Sequence, residues 1–149
     1  MIDQIILGSC LMLATIAVSG ISLWWVEVLL RRGHRWLTRP PHAPKLMLLL
    51  CGAAFWVMGL VTVGVWLWAL AFYTLGVFPG LEPCVYFALV SYTTLGYGDV
   101  LLPHEWRLLG GMAAANGFIT FGLLVASLTE ALRVIRLAQI AQETATGQK

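Results

Sequence analysis

The chain has 149 residues, of which 60% are hydrophobic and 11% are charged, and its mean hydropathy is +0.85. Soluble domains carry about 25% charged residues, so this composition excludes an ordinary soluble domain and predicts one compact membrane domain. The net charge of +2 says little by itself, and no nucleic-acid partner is expected. The three dispersed cysteines, Cys10, Cys51 and Cys84, have no disulfide or metal spacing.

Residues 5–30 form the first apolar segment. They are long enough to cross a hydrocarbon core of about 30 Å, which needs about 20 helical residues. A signal peptide would begin with basic residues and end at a small-residue cleavage site, whereas here the basic residues follow the apolar run. We therefore predict that residues 1–30 are an extra N-terminal transmembrane helix, with Trp24 and Trp25 at its interfacial end.

Residues 31–45 form a basic segment that holds five of the nine Lys and Arg residues and no acidic residue. Three prolines in it predict a loop, because proline interrupts a helix: Pro40, Pro41 and Pro44. Short basic loops lie on the cytoplasmic side, which places the N-terminus outside and the C-terminus inside the plasma (inner) membrane. Anionic lipids are a candidate partner of four arginines here, although a plain topology signal explains the same charges. These are Arg31, Arg32, Arg35 and Arg39.

Residues 46–75 predict a second membrane-spanning helix. Four aromatic residues crowd its far end, as in the aromatic belts found at membrane interfaces: Trp66, Trp68, Phe72 and Tyr73. Its glycines at positions 52, 59 and 64 are either sites where another helix approaches closely or ordinary glycine usage in a membrane helix. A short turn at residues 76–81 follows.

Residues 82–93 predict a helix that enters the membrane without crossing it. Pro83 suits a first helical turn, Glu82 complements the positive end of the helix, and the apolar run at residues 85–90 is too short to span. Irregular backbone at membrane depth is tolerated only where it is buried in protein or lines water. We therefore predict a re-entrant helix that aims its negative C-terminal end at a central cavity.

The run Thr93-Thr94-Leu95-Gly96-Tyr97-Gly98-Asp99 follows directly. Gly96 and Gly98 can take a positive φ without a steric penalty, and successive carbonyls of residues 94–98 can then point in one direction. Four copies around an axis would form stacked oxygen rings that replace the water shell of a cation. The Thr94 hydroxyl would close the inner end, and Asp99 would place a carboxylate at the outer mouth. The alternative is a Gly-rich turn around a buried tyrosine.

Residues 106–137 predict the third spanning helix, which begins after a return segment at residues 100–105. Phe118, Phe121 and Val125 follow i, i+3, i+7 spacing and share one face, which would line a cavity and its inner entrance or face lipid. Residues 139–149 are predicted to be a short polar cytoplasmic tail.

Asn116 lies deep in this third helix, where a primary amide without partners is costly. One interpretation is a hydrogen bond to another helix. The other is that Asn116 contacts the re-entrant helix or the base of the glycine run, or faces the cavity. The neighbouring Gly117 would allow a second backbone to come close.

Residues 46–138 resemble the pore domain of prokaryotic potassium channels, which has an outer helix, a pore helix, a selectivity filter and an inner helix. The family's Thr-x-Gly-Tyr-Gly-Asp motif corresponds to residues 94–99, and its inner-helix glycine corresponds to Gly117. The resemblance implies an all-α membrane protein that forms a homotetramer and conducts potassium passively and selectively. It implies no cofactor, and K⁺ as a permeant ligand at Thr94, Leu95, Gly96 and Tyr97.

Three features depart from that family. Leu95 stands where valine is commoner, and Val90 stands where several members carry a glutamate that hydrogen-bonds the filter aspartate. That hydrogen bond to Asp99 is therefore expected to be missing. Residues 5–30 have no counterpart in two-helix channels. They lack an arginine at every third position, so they do not resemble a charged voltage sensor. We expect this extra helix at the periphery of the tetramer, against the second helix.

Three other functions are alternatives to a potassium channel. A weakly selective cation channel would share the scaffold, but Tyr97 between two glycines argues against it. A non-conducting accessory subunit would not need a complete motif. An enzyme would need polar groups that converge at one depth, whereas His34, His42 and His104 are dispersed, so no enzymatic activity is expected.

Overall fold

The computed structural model describes residues 2–37 and 42–147, which form four α-helices, a 3-10 turn and short connections. The helices are α1 (Ile2–Leu37), α2 (His42–Thr74), α3 (Leu81–Tyr92) and α4 (Arg107–Gly147). The 3-10 turn, His104–Trp106, leads into α4. The predicted all-α class is confirmed for the described residues.

Three helices of the described chain are long and apolar enough to cross a membrane, over residues 2–30, 47–74 and 104–134. The chain is therefore a multi-pass membrane protein. Helix α3 has 12 residues, about 18 Å at 1.5 Å per residue, which is too short to span. Its bounds differ by one residue at each end from those predicted for the re-entrant helix.

The basic segment at residues 31–45 is helical over most of its length, so the predicted loop is wrong outside residues 38–41. Helix α1 continues to Leu37 and α2 begins at His42. Residues 38–41, with Arg39, Pro40 and Pro41, lie outside the described part. Arginine and leucine are good helix formers, so the basic charges did not end α1 at residue 30. Pro44 lies in the first turn of α2, where its missing N–H costs little because the first four N–H groups of any helix lack partners.

The C-terminal region is also more helical than predicted. Helix α4 runs to Gly147, well past the predicted end at residue 137, and so includes most of the predicted polar tail. Well before the end of α4, Glu130 pairs with Arg133 one turn later, with 3.7 Å between the nitrogen and oxygen atoms. Both side chains are exposed, so the pair contributes little to stability.

The core of the molecule lies where α2, α3 and α4 meet. Its buried side chains include Trp68 and Phe72 of α2, Ala88 and Tyr92 of α3, and Leu109 of α4. Helix α3 therefore lies between the two helices that precede and follow it. This packing fixes the direction in which the chain leaves α3 at Tyr92, and so determines where the glycine run begins.

The predicted aromatic belt of α2 divides into two groups. Trp66 and Tyr73 are 43% and 51% exposed, as belt residues would be. Trp68 and Phe72 are fully buried instead. Phe72 packs edge-to-face on Phe87 of α3, with 5.4 Å between the ring centroids. Aromatic clustering alone did not distinguish residues that face the membrane interface from residues that hold α3 in place.

Helix α1 packs mainly along α4 and less extensively against α2. Gln4 donates a hydrogen bond to the carbonyl of Glu105 near the start of α4, and Thr15 contacts Asn116 further along. Residue numbers increase together along the contact, so the two helices are parallel. The predicted contact with the second helix is present, since the Trp56 indole donates to the Ser22 hydroxyl at 2.7 Å, but it is the smaller one.

Candidate functional site: the glycine run after the re-entrant helix

The backbone of the glycine run alternates in handedness. Thr94, Gly96 and Gly98 have φ values of 59°, 59° and 75°. The positive φ predicted for the two glycines is confirmed. The same conformation at Thr94 was not predicted, because a β-branched residue rarely adopts it. Among the described residues Thr94 is the only non-glycine residue with a positive φ, which sets the base of the run apart from the rest of the chain.

Hydrogen bonds from the end of α3 hold the base of the run. The Thr94 amide donates to the Ser91 carbonyl at 2.9 Å, and the Leu95 and Gly96 amides both donate to the Val90 carbonyl, at 3.0 and 3.2 Å. These carbonyls are the last acceptors of the helix, which would otherwise lack partners. The run is thus an extension of α3 whose first residues cannot move independently of it.

Apart from these three amide hydrogen bonds, the run is an open ribbon. Leu95 is 56% exposed and Tyr97 is 69% exposed. In the part of the chain that the structure describes, no hydrogen bond ends on a carbonyl of residues 94–98. The alternative of a turn around a buried tyrosine is therefore wrong. The ribbon offers a row of unused carbonyl oxygens and two large side chains that are mostly exposed in the single chain.

Asp99 at the outer end of the run is anchored to α3. The Tyr86 hydroxyl donates a hydrogen bond of 2.5 Å to Asp99 Oδ2, and the Val100 amide donates one of 3.1 Å to Oδ1. The Tyr86 hydrogen bond lowers the pKa of the Asp99 carboxyl below its ordinary value, and partial desolvation opposes this shift. Asp99 is therefore ionised at neutral pH and joins the outer end of the run to the first half of α3.

The contact between Tyr86 and Asp99 was not predicted from the sequence. Val90 replaces the glutamate found in related motifs, and we expected the link to Asp99 to be absent. Tyr86 lies one helical turn before Val90 and thus on the same face of α3, from which it reaches the same carboxylate. The i, i+4 spacing within α3 was the signal that could have identified it.

The end of α3 is held between two glycines. A Cβ on Gly117 of α4 would overlap the Tyr92 carbonyl oxygen and come within 2.6 Å of its carbon. A Cβ on Gly64 of α2 would come within 2.5 Å of the Tyr92 hydroxyl oxygen. The predicted close approach is confirmed at these two positions. Gly52 and Gly59 have no atom within 4 Å of such a Cβ, so ordinary usage describes them.

Asn116, which precedes Gly117, is fully buried against α1. Its amide nitrogen lies 2.6 Å from the Thr15 hydroxyl oxygen, and its amide oxygen lies 2.9 Å from the same atom. The interpretation of Asn116 as a cavity-lining residue is wrong for this structure, because α1 covers the side chain. The alternative of a helix–helix hydrogen bond is the one that the structure shows. Thr15 was missed, although a hydroxyl in an otherwise apolar helix is a recognisable partner.

Phe118 and Val125 lie on the other side of α4. At 100° per residue they are about 200° and 180° from Asn116 around the helix. They are 71% and 62% exposed, and Phe121 between them is partly buried. These three residues therefore form a surface that points away from α1 and has no complete cover within the chain.

Comparisons with known proteins bear on this arrangement. A family model with the description "Ion channel" matches residues 60–134, which is half of the chain. The match runs from the middle of α2 through α3 and the glycine run to residue 134 of α4, and it does not include α1. The search of curated proteins and the search of solved structures each found no match.

Proposed function

We propose that this chain, which belongs to the ion channel family, assembles as a homotetramer and conducts potassium ions selectively and passively across a membrane. The observation that carries the proposal is the alternation of positive φ at Thr94, Gly96 and Gly98. Where φ changes sign at every second residue, successive carbonyls can turn to one side of the ribbon. The selectivity filter would consist of these oxygens.

The free carbonyls of residues 94–98 support this proposal. A carbonyl at membrane depth that accepts no hydrogen bond needs another positive partner, because an unsatisfied polar group in hydrocarbon is costly. Four ribbons around an axis would supply rings of such oxygens, and a dehydrated cation would be their common partner. K⁺ at Thr94, Leu95, Gly96 and Tyr97 is thus the permeant ion and not a resident cofactor.

The exposed side chains of the run support assembly. Leu95 and Tyr97 are 56% and 69% exposed, so more than half of each residue's surface is left uncovered by its own chain. Neighbouring subunits would cover both side chains and hold the ribbon open. The surface formed by Phe118, Phe121 and Val125 would then face the inner cavity, on the side of α4 that α1 does not occupy.

Purified protein in liposomes gives the most direct test of selectivity. We expect potassium flux to exceed sodium flux by a wide margin and barium to block it, since barium is similar in size to potassium but carries two charges. Equal fluxes of sodium and potassium would instead identify a weakly selective cation channel. A tetramer that conducts neither ion would identify an accessory subunit.

Two glycine variants form a matched pair for this test. Gly96→Ala adds a Cβ at φ +59° in the filter, and Gly76→Ala adds one at φ +64° in the turn after α2. Neither Cβ meets an atom within 4 Å, so the backbone strain is alike in the two variants. We expect only Gly96→Ala to abolish potassium flux. Equal loss of flux in both would show that the glycine run has no special role.

A further inference from the structure

We propose that α1 positions the selectivity filter through the buried pair Thr15 and Asn116, which fixes the rotation of α4 against the end of α3. The proposal rests on the proposed channel function. The family match does not include α1, and the sequence predicted only that this helix lies at the periphery of the tetramer and lacks the charges of a voltage sensor. Three contacts and one short stretch of chain connect α1 to Thr94.

The first contact is the pair itself. Asn116 is 0% exposed and Thr15 is 2% exposed, and in the described chain Asn116 hydrogen-bonds only to Thr15. The Thr15 hydroxyl has one proton, but it lies within hydrogen-bond distance of the Met12 carbonyl as well as the Asn116 amide oxygen. If the proton goes to Met12, the hydroxyl oxygen still accepts from the Asn116 N–H at 2.6 Å. Either way, Thr15 is the hydrogen-bond partner of the Asn116 side chain among the described residues.

The second contact fixes the register of the two helices on the outer side of this pair. A Cβ on Gly8 of α1 would come within 2.5 Å of the Met112 sulfur and 3.2 Å of a Leu109 methyl carbon on α4. Gly8 thus leaves room for α4 two turns before Thr15. A close approach at Gly8 and a hydrogen bond at Thr15 together allow one rotation of α4 about its axis.

The third contact transmits this rotation to α3. Gly117 follows Asn116 and receives the Tyr92 backbone, where no Cβ can fit. Rotation of α4 by one residue position, about 100°, would move Gly117 away and bring a side chain against the Tyr92 carbonyl. The Asn116 hydrogen bond therefore holds Gly117 in the only orientation that accepts the end of α3.

The last link is the short stretch of chain from Tyr92 to the filter. Thr94 is two residues beyond Tyr92, and its amide bonds to the Ser91 carbonyl. Thr15 and Tyr92 also line a common crevice between α1 and α2. A shift of the Tyr92 backbone would thus move the residue with the unusual φ at the inner end of the carbonyl row.

The test uses full-length protein and single-channel recording in lipid bilayers. Thr15→Val keeps the shape of the side chain but removes the hydroxyl, and Asn116→Leu removes the amide. We expect each variant to change the open probability by about threefold. This is the change in an equilibrium that results when an average hydrogen bond between membrane helices forms in only one of the two gating states. The double variant should resemble the single ones, because both remove the same interaction. Thr15→Ser, which keeps the hydroxyl, should have the same open probability as the wild type.

A threonine outside the pair serves as the control. Thr62 of α2 donates to the Met58 carbonyl in its own helix and is exposed, so Thr62→Val should leave gating unchanged. Wild-type gating in Thr15→Val would overturn the proposal. So would its failure to form the wild-type oligomer, since the pair would then serve assembly and not the filter. A wild-type protein without potassium selectivity would instead refute the proposed function, and the gating effect of the pair would still be measurable on the cation current.

Discussion

At the scale of single residues, Thr94 at the base of the glycine run shows how a strained backbone conformation is held in place. A β-branched residue at φ 59° is costly by about 1–3 kcal/mol and persists only where its surroundings determine it. Here the amides of Thr94 and Leu95 are both tied to the end of α3. The glycines could be assigned a positive φ from the sequence, because they lack a Cβ. Thr94 could not, since its conformation comes from hydrogen bonds that only the folded helix supplies.

Gly117 gives the sharpest prediction at this scale. Gly117→Ala should destabilise the protein by about 1–3 kcal/mol or more and abolish potassium flux, because the new methyl group would overlap the Tyr92 backbone. Backbone cannot move aside as a flexible side chain can. Gly122→Ala on the same helix, which meets no atom within 4 Å, should be neutral or slightly stabilising. Thermal unfolding in detergent and liposome flux would measure both, and equal tolerance of the two variants would contradict the contact.

The bond between Tyr86 and Asp99 predicts a pH dependence. Since the folded pKa of Asp99 is depressed, the stabilisation it provides is present above its ordinary value of 3.8 and is lost as the pH falls through the lowered value. Asp99 should therefore stay ionised between external pH 8 and pH 5 and cause no change in the wild-type current over that range. Tyr86→Phe removes the hydrogen bond, so Asp99 should become protonated at a higher pH than in the wild type. An external pH titration of the current would measure the shift, and identical titration curves would rule out the bond.

At the scale of elements, the re-entrant helix was the most predictable part of the chain. A proline and an acidic residue marked its start, and the glycine run marked its end, so its bounds were within one residue of those observed. The ends of α1, α2 and α4 were less predictable, because basic and polar residues outside the membrane still favour a helix. Sequence patterns located the edge of the apolar region in these three helices and not the last helical residue.

The contact between α1 and α4 predicts which glycine of α1 tolerates a larger side chain. Gly8→Leu should lower the stability of the protein by about 1–3 kcal/mol, because the space beside Gly8 is filled by Met112 and Leu109. Gly20→Leu in the same helix, where no atom lies within 4 Å, should have little effect. Melting temperatures in one detergent would compare the two. A lower melting temperature for Gly20→Leu than for Gly8→Leu would place α1 on a different surface.

At the scale of the whole molecule, one chain contains the parts of a pore but does not enclose one. Hydrophobicity and charge order were enough to predict three spanning helices, and the motif was enough to predict the ribbon. The partner of α1 could not be predicted, because Thr15 and Asn116 are 101 residues apart in sequence and only packing brings them together. Leu95 and Tyr97 are exposed in the single chain, which fits the proposed assembly.

The parallel packing of α1 and α4 also bears on orientation. The first and last spanning helices then begin on the same side, and the excess of basic residues at the end of α1 predicts that this side is outside. Two exposed positions at opposite ends of the molecule test this orientation. Leu101, 69% exposed, follows the glycine run, and Arg133, whose side chain is 70% exposed, lies at the far end of the apolar span at residues 104–134.

With the exposed Cys10 and Cys51 changed to alanine, a single cysteine would be placed at each position in turn. A membrane-impermeant maleimide should label Leu101→Cys on intact cells, and Arg133→Cys only after the cells are opened. Cys84 can remain, since it is buried in the core. The reverse labelling pattern would invert the topology and turn the filter toward the cytoplasm. Labelling of both positions on intact cells would mean that α4 does not cross the membrane, which would exclude the pore itself.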